Sequence, residues 1–451
     1  MKRDIAFWVL LAVLVATTGC LNRGDDLVGP ADPAAAGLVS PVLGGPSGEA
    51  GEPVDPSRIP EYHLGGGGGI RPIPRVPYRP GEVVVKLNAG ESLALFNETF
   101  GTTTVEQLPD GFARLALAES DDDPWNPISE MDESGSCEHV EPNFVTEAPE
   151  SQQGTLPIYE GDHVYGDVVT QDPLDQIGIP AAHAYATGSG VVVAVIDTGI
   201  DATHPDLAAS ISPVGYDFVD DDADPSEERP GVDVDGNGIP DQAAGHGTHV
   251  AGLILAVAPD VTIMAVRVLD SEGQGTSFNV ARGIRWAAAN GADIINLSLG
   301  MYADADVIKR AIQDVDDLDV VVVNAAGNRG RYDERHFPAR MSRVISVAAI
   351  DEKDARAEFS NWGEHVHISA PGVAILSTGL DHGYAIWSGT SMSAPLVSGA
   401  AALRLQIDPA ATPDDVADAI EDTRGPLDVA GTPWVNSMGG RLDCLALVGA
   451  R

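Results

Sequence analysis

Cysteine is scarce in this chain of 451 residues: Cys20, Cys137 and Cys444 are the only three. They make no disulfide framework, and none stands near the motifs that carry chemistry, so none is read as a nucleophile. Basic residues are scarce as well, 26 Lys and Arg against 68 Asp and Glu, for a formal charge of −42. That balance excludes nucleic acid and anionic lipid as partners held by charge, and suits a soluble surface facing salt or divalent cations. The N-terminal apolar run from Ile5 to Ala16 is too short to span a bilayer comfortably. Flanked by Lys2-Arg3 and by Thr17-Thr18-Gly19-Cys20, it reads as a secretory signal, residues 1–20, and so as an exported protein.

Residues 21–80 cannot bury a core, because they are dominated by Pro, Gly and Ala, with a glycine run from Gly65 to Gly69. They read as a disordered tether. From Gly81 the pattern changes. Strands are predicted over Glu82–Leu87, Phe112–Leu117 and His139–Phe144, with helices over Ser92–Phe100 and Asn126–Glu133, a small α+β unit over 81–147. A polar linker, 148–170, follows. The rest, 171–451, alternates strand patterns (191–196, 262–268, 293–297, 320–324, 344–349) with helical patterns (247–255, 278–290, 304–315, 391–405). Such alternation predicts an α/β class: a doubly wound, mainly parallel sheet with helices on both faces and its site beyond the carboxyl ends of the strands.

Three stretches in this region place reactive side chains at element ends. Gly389-Thr390-Ser391-Met392-Ser393-Ala394-Pro395 delivers Ser391 to the first turn of an Ala-rich helix, where free N–H groups and the helix dipole favour negative charge. A serine there is ordinarily a cap; a base and an orienter elsewhere would change its meaning. Asp197 ends the run Val191–Ile196, and His246 opens the helix that begins Gly245-His246-Gly247-Thr248-His249. His249 lies on the same helix face as His246, yet the Glu of a zincin motif is missing, so the pair is not read as a zinc site. No Gly-x-Ser-x-Gly elbow surrounds Ser391.

The order Asp, His, Ser and the blocks Asp197-Thr198-Gly199, His246-Gly247-Thr248-His249 and Gly389 to Pro395 resemble the signatures of the subtilisin-like serine peptidases. The resemblance runs from about Gln171 to the C-terminus. It implies a serine endopeptidase acting on proteins or peptides through an acyl-enzyme, with Ser391 as nucleophile, His246 as base and Asp197 as orienter. Ala325-Ala326-Gly327-Asn328 resembles the oxyanion segment and nominates Asn328. Gly273-Gln274-Gly275 and Ser298-Leu299-Gly300 resemble the two backbone edges that flank an extended substrate. Phe337-Pro338-Ala339 resembles a segment near the S1 pocket, with a cis bond expected before Pro338. Arg329 would lie at that pocket's rim. A serine esterase and a non-catalytic binding scaffold are the alternative readings.

The α+β unit, ending in Val140-Glu141-Pro142-Asn143, resembles the inhibitory propeptide of the same family (the inhibitor I9 type), which implies a self-inhibited precursor cut within the linker. Thr17-Thr18-Gly19-Cys20 resembles a lipobox, although Thr17 stands where leucine is usual; it implies lipid attachment at Cys20. No cofactor is needed for the chemistry, and a monomer is expected. The family's tight calcium loop is missing after His246. An EF-hand-like run, Asp233-Val234-Asp235-Gly236-Asn237-Gly238-Ile239-Pro240-Asp241, nominates Asp233, Asp235, Asn237, the Ile239 carbonyl and Asp241 as a replacement, although Ala244 stands where a bidentate glutamate would.

Overall fold

The computed structural model describes residues 76–118, 124–150, 157–158, 163–234, 236–427 and 435–449, all within one compact unit spanning Ile59–Arg451. The signal-like segment, Cys20, the tether up to residue 75, most of the linker and Asp235 lie outside the described residues.

The N-terminal part runs β1 (Tyr78–Leu87), α1 (Leu93–Phe100), β2 (Thr103–Gln107), β3 (Phe112–Ala116), α2 (Trp125–Glu133) and β4 (Cys137–Glu147). The period of two along β1 assigns its valines to different cores. Val83 and Val85 pack with Phe96, Leu115, Ile128 and Met131 under the two helices. Val84 joins Phe112 and Phe144 in a core shared with the rest of the chain. Helix α1 starts where Ser92 Oγ accepts the Leu95 N–H at 3.4 Å and stops at Gly101, whose φ of 65° is left-handed. Strand β2 has no counterpart in the sequence reading. Its Thr-Thr-Val-Glu-Gln has one apolar residue and sits at the sheet edge, so hydrophobic periodicity carries no signal there.

The remainder runs α3 (Tyr165–Val169), α4 (Asp172–Gln176), α5 (Ile179–Ala182), β5 (Val192–Asp197), β6 (Tyr216–Asp217), α6 (His246–Val257), β7 (Thr262–Arg267), β8 (Gln274–Thr276), α7 (Ser277–Ala289), β9 (Ile294–Leu297), α8 (Asp306–Asp316), β10 (Val321–Ala325), β11 (Ile345–Ile350), β12 (Ile368–Pro371), β13 (Ile375–Thr378), β14 (Tyr384–Trp387), α9 (Thr390–Ile407), α10 (Pro413–Thr423) and α11 (Cys444–Gly449). A seven-stranded sheet has the order β12-β11-β10-β9-β5-β7-β6, and every pairing in it is parallel. This is the doubly wound class that the alternation predicted. On β5, Val193 and Val195 face the core built on α6 and α9. Ala194 and Ile196 face the one built on α7 and α8. Both faces are therefore covered, which is why β5 reads as an unbroken apolar run up to Asp197.

Helix α9 is buried from Thr390 to Leu403. Its small residues let it lie against α6: a Cβ added at Gly399 would stand 2.6 Å from Val257 Cβ. Pro395 lies inside this helix, and having no N–H it leaves the Ser391 carbonyl without its helical donor. Ser298 Oγ donates to that carbonyl instead, at 3.0 Å. The proline of the signature block thus ties the first turn of α9 to the segment after β9.

Candidate active site

Asp197, the last residue of β5, and His246, the first of α6, meet through a bond of 2.7 Å between His246 Nδ1 and Asp197 Oδ1. The same oxygen accepts the Thr198 N–H at 2.8 Å. Gly245 precedes the helix with a φ of 90°, and Gly247 presses so close to Gly199 O and Asp197 that no side chain fits there. The imidazole also lies edge-on to Trp387, with ring centroids 5.2 Å apart.

Asn328 follows β10. Its Oδ1 accepts the N–H of Thr390 at 2.9 Å and the Thr390 hydroxyl at 2.8 Å, which turns Nδ2 toward Ser391. There Nδ2 meets a carboxylate that the sequence reading did not single out, that of Glu150. Asn328 Nδ2 donates to Glu150 Oε1 at 2.8 Å, and Ser391 N reaches the same oxygen at 3.4 Å. Ser391 Oγ donates to Oε2 at 2.6 Å, and His246 Nε2 stands 3.2 Å from that oxygen. Asp197, His246, Ser391 and Asn328 are therefore gathered around one buried anion. Burial opposes charge on His246, but Asp197, and after it Glu150, outweigh burial and push the imidazole up to about 10. Burial likewise works against Glu150, but the bonds from His246, Ser391 and Asn328 outweigh it and hold its carboxyl below the usual range.

The chain reaches this point along both predicted substrate edges. Strand β4 pairs antiparallel with β8: Val145 with Thr276, Thr146 with Gly275, Glu147 with Gln274. Glu147 and Gly300 exchange two backbone bonds of 2.9 Å, and the Ala148 N–H donates to Gly273 O at 2.9 Å. Upstream, Glu141 accepts the N–H groups of Asp306 and Val307 at 3.0 and 3.1 Å, capping α8. Asn143 Oδ1 accepts the Phe278 N–H at 3.2 Å, capping α7. His139 stands between Glu141 and Asp306; burial opposes its charge, but these carboxylates push it up to about 10. The Glu-Pro-Asn run is thus a pair of helix caps supplied from outside the helices.

Among residues missed from sequence, Glu227 accepts the N–H groups of Gly245 (3.0 Å) and Thr248 (3.2 Å) and the hydroxyl of Thr198 (3.1 Å). Burial, with the charge of Asp197 adding to it, raises its carboxyl to about 7. His336 is buried against Gly300 and Gly327, neither of which leaves room for a side chain. Nothing local in the sequence marks either residue, because their partners are distant in the chain.

Arg329 lies over the Tyr302 ring at 3.5 Å and pairs with Glu334 at 3.5 Å. The Phe337-Pro338 bond is cis. His249 Nε2 donates to the carbonyls of Ala385 and Ile375, at 3.0 and 3.2 Å, a structural role. In the acidic loop, Asp233 accepts the N–H groups of Asn237 and Gly238, Asn237 Oδ1 that of Ile239, and Asp241 that of Gly231. The side-chain oxygens of Asp233, Asn237 and Asp241 thus serve the loop's own backbone; no group of three or more His, Cys, Asp or Glu suited to a metal is gathered among the described residues.

Residues 188–440 match the Subtilase family model. Subtilisin E of Bacillus subtilis (strain 168) is 39% identical over 279 residues, covering 58% of this chain and 69% of that protein. Thermitase of Thermoactinomyces vulgaris is 39% identical over 269 residues, covering 57% of this chain and 90% of that protein. The crystal structure of fervidolysin from Fervidobacterium pennivorans, a keratinolytic enzyme related to subtilisin, superposes with a TM-score of 0.70 at 25% identity, over 83% of this chain and 61% of that one.

Proposed function

The chain belongs to the subtilase family of serine endopeptidases, and on that premise we propose that it is an exported, self-inhibited precursor whose site works as follows. Ser391 Oγ attacks the scissile carbonyl while His246 Nε2 takes its proton; Asp197 holds the imidazole's tautomer and its charge. Asn328 Nδ2 and Ser391 N–H receive the oxyanion. The intermediate collapses as His246 returns the proton to the leaving amine, and water repeats the sequence on the acyl-enzyme. One observation carries the reading: Asn328 Nδ2, Ser391 N, Ser391 Oγ and His246 Nε2 all reach the oxygens of a single carboxylate. A pocket that holds an anion between a hydroxyl and an imidazole suits a developing oxyanion.

Residues 81–147 serve as the propeptide and the linker carries the cut. Support comes from the strand that fills both substrate edges and from the caps that Glu141 and Asn143 place on α8 and α7. Expression of the wild type and of Ser391→Ala tests this. The wild type is expected to lose the N-terminal unit, whereas Ser391→Ala accumulates uncut; equal migration at full length contradicts it. Lipid at Cys20 would tether the precursor to a membrane surface.

Two further roles belong to this reading. Arg329 favours acidic P1 residues, a modest effect because the guanidinium is shared with Glu334 and about two-fifths exposed. A peptide library should show the Glu-to-Leu P1 ratio falling in Arg329→Ala; an unchanged ratio removes the role. The Asp233 to Asp241 loop, just ahead of His246, would hold calcium at about 10⁻⁴ to 10⁻³ M and stabilise the matured protein by mass action. Calcium should raise the Tm of the wild type more than that of Asp233→Ala/Asp235→Ala; equal responses rule the loop out.

A further inference from the structure

We infer that the side-chain carboxylate of Glu150 is itself the inhibitory group of the precursor: it occupies the oxyanion pocket and ties up the nucleophile, which makes opening of the site a proton-releasing step. The inference rests on the reading of Ser391 and His246 as the reacting pair. A strand laid along two backbone edges blocks access, but leaves nucleophile, base and oxyanion donors free to act on whatever carbonyl the strand presents. Glu150 removes that freedom. Oε1 takes the Asn328 amide at 2.8 Å, and Oε2 takes the Ser391 hydroxyl at 2.6 Å, so the proton of Oγ points to a carboxylate and not to His246. His246 Nε2, 3.2 Å from Oε2, then donates to the same anion. The carboxylate is nearly inaccessible, 1% exposed. It packs so tightly on Gly389 that a Cβ there would overlap it, so the glycine before the nucleophile is also the room that Glu150 uses.

The sign of the proton linkage follows from the groups around the pair. Asp197 bonds His246 Nδ1, and Glu227 lies beyond it, bonded to Thr198 and Thr248; His249, three residues along α6, packs edge-on to the same Trp387 as His246, and the buried His336 stands near enough to Glu150 to feel its charge. Asp197 stays beside His246 whether the site is closed or open, whereas Glu150 faces it only when closed. Closure therefore raises His246 above its open value, and the closed state loses stability as pH climbs from that open value toward about 10. Glu150 is lowered by closure, so its contribution is present above its ordinary 4.5 and is lost as pH falls through the depressed value. Within the neutral-to-alkaline window, each pH unit favours opening by up to about tenfold. His139 at the α8 cap is raised in the same direction, and that linkage is shared by variants at position 150.

The test uses the full-length chain and a fluorophosphonate probe, with uncut and cut forms resolved on a gel and labelling expressed as the ratio of uncut to cut rate. The ratio cancels the intrinsic pH dependence of His246. For the wild type, uncut protein should label at least about tenfold more slowly than cut at pH 7, and the ratio should climb by about tenfold or more by pH 9. Glu150→Gln removes the charge but keeps the length; its ratio at pH 7 should rise about tenfold and its pH slope should flatten. Glu150→Asp, one methylene shorter, should move in the same direction, which keeps the test alive if the Gln precursor fails to accumulate. Wild-type uncut protein that labels as fast as cut, or a Glu150→Gln ratio and slope equal to wild type, overturns the inference and leaves the peptidase reading standing. Absence of label from Ser391 in the cut form overturns both.

Discussion

Ser391→Ala is expected to lower kcat on a protein substrate by about 10⁶-fold, with far less change in KM; the magnitude is carried over from subtilisin. The substitution removes one buried oxygen and leaves the rest of the constellation in place. His246 stays paired to Asp197, Asn328 stays oriented by Thr390, and the Ser391 carbonyl keeps the Ser298 hydroxyl that replaces the missing proline donor. What disappears is the atom that forms the covalent bond. Residual turnover of about 10³ to 10⁴ over water should survive, since the oxyanion donors and substrate edges do not depend on Oγ. Because the variant accumulates uncut, with β4 and Glu150 still in the site, its N-terminal unit is first removed with a separable protease; casein hydrolysis by that form, with a thermal unfolding profile like that of the matured wild type, checks this.

The second large effect belongs to Asn328. Replacing its amide, as in Asn328→Leu, is expected to lower kcat by about 10² to 10³-fold and to leave KM nearly unchanged, again a magnitude measured on subtilisin. The split follows from timing: Nδ2 points to where negative charge develops, so it binds the transition state better than the ground state. Part of the loss would come from Thr390, whose N–H and hydroxyl both lean on Asn328 Oδ1. Steady-state kinetics on a peptide amide separate these cases. A rise in KM with kcat intact would mark Asn328 as a substrate-positioning residue.

How far the sequence could be read depended on where each residue's partners lie. Strand β5 was legible because burial on both faces forces an unbroken apolar run, and helices α6 and α9 because glycines and small residues announce their starts and their packing. The gathering of Asp197, His246, Ser391 and Asn328 was expected from the resemblance of their blocks to the family's signatures, with Asp197 and Asn328 at strand ends where sites of parallel sheets form. Strands β12 to β14 escaped notice because they are short and follow no alternating run of useful length. Glu141 and Asn143 stood in a noticed motif, but their partners are the N-termini of α8 and α7, and no local pattern announces a cap supplied from so far away. Glu150 was hidden for a related reason. In a polar stretch after a strand, one more glutamate among many looks like a solvated charge, and only the fold brings it to the nucleophile.

The most direct measurement is stoichiometric labelling of the matured enzyme with a fluorophosphonate, with the modified residue located by peptide mass. The account predicts one equivalent on Ser391, lost together with casein hydrolysis in Ser391→Ala. Label on a different serine, or a Ser391→Ala protein that digests casein at the wild-type rate, would contradict it.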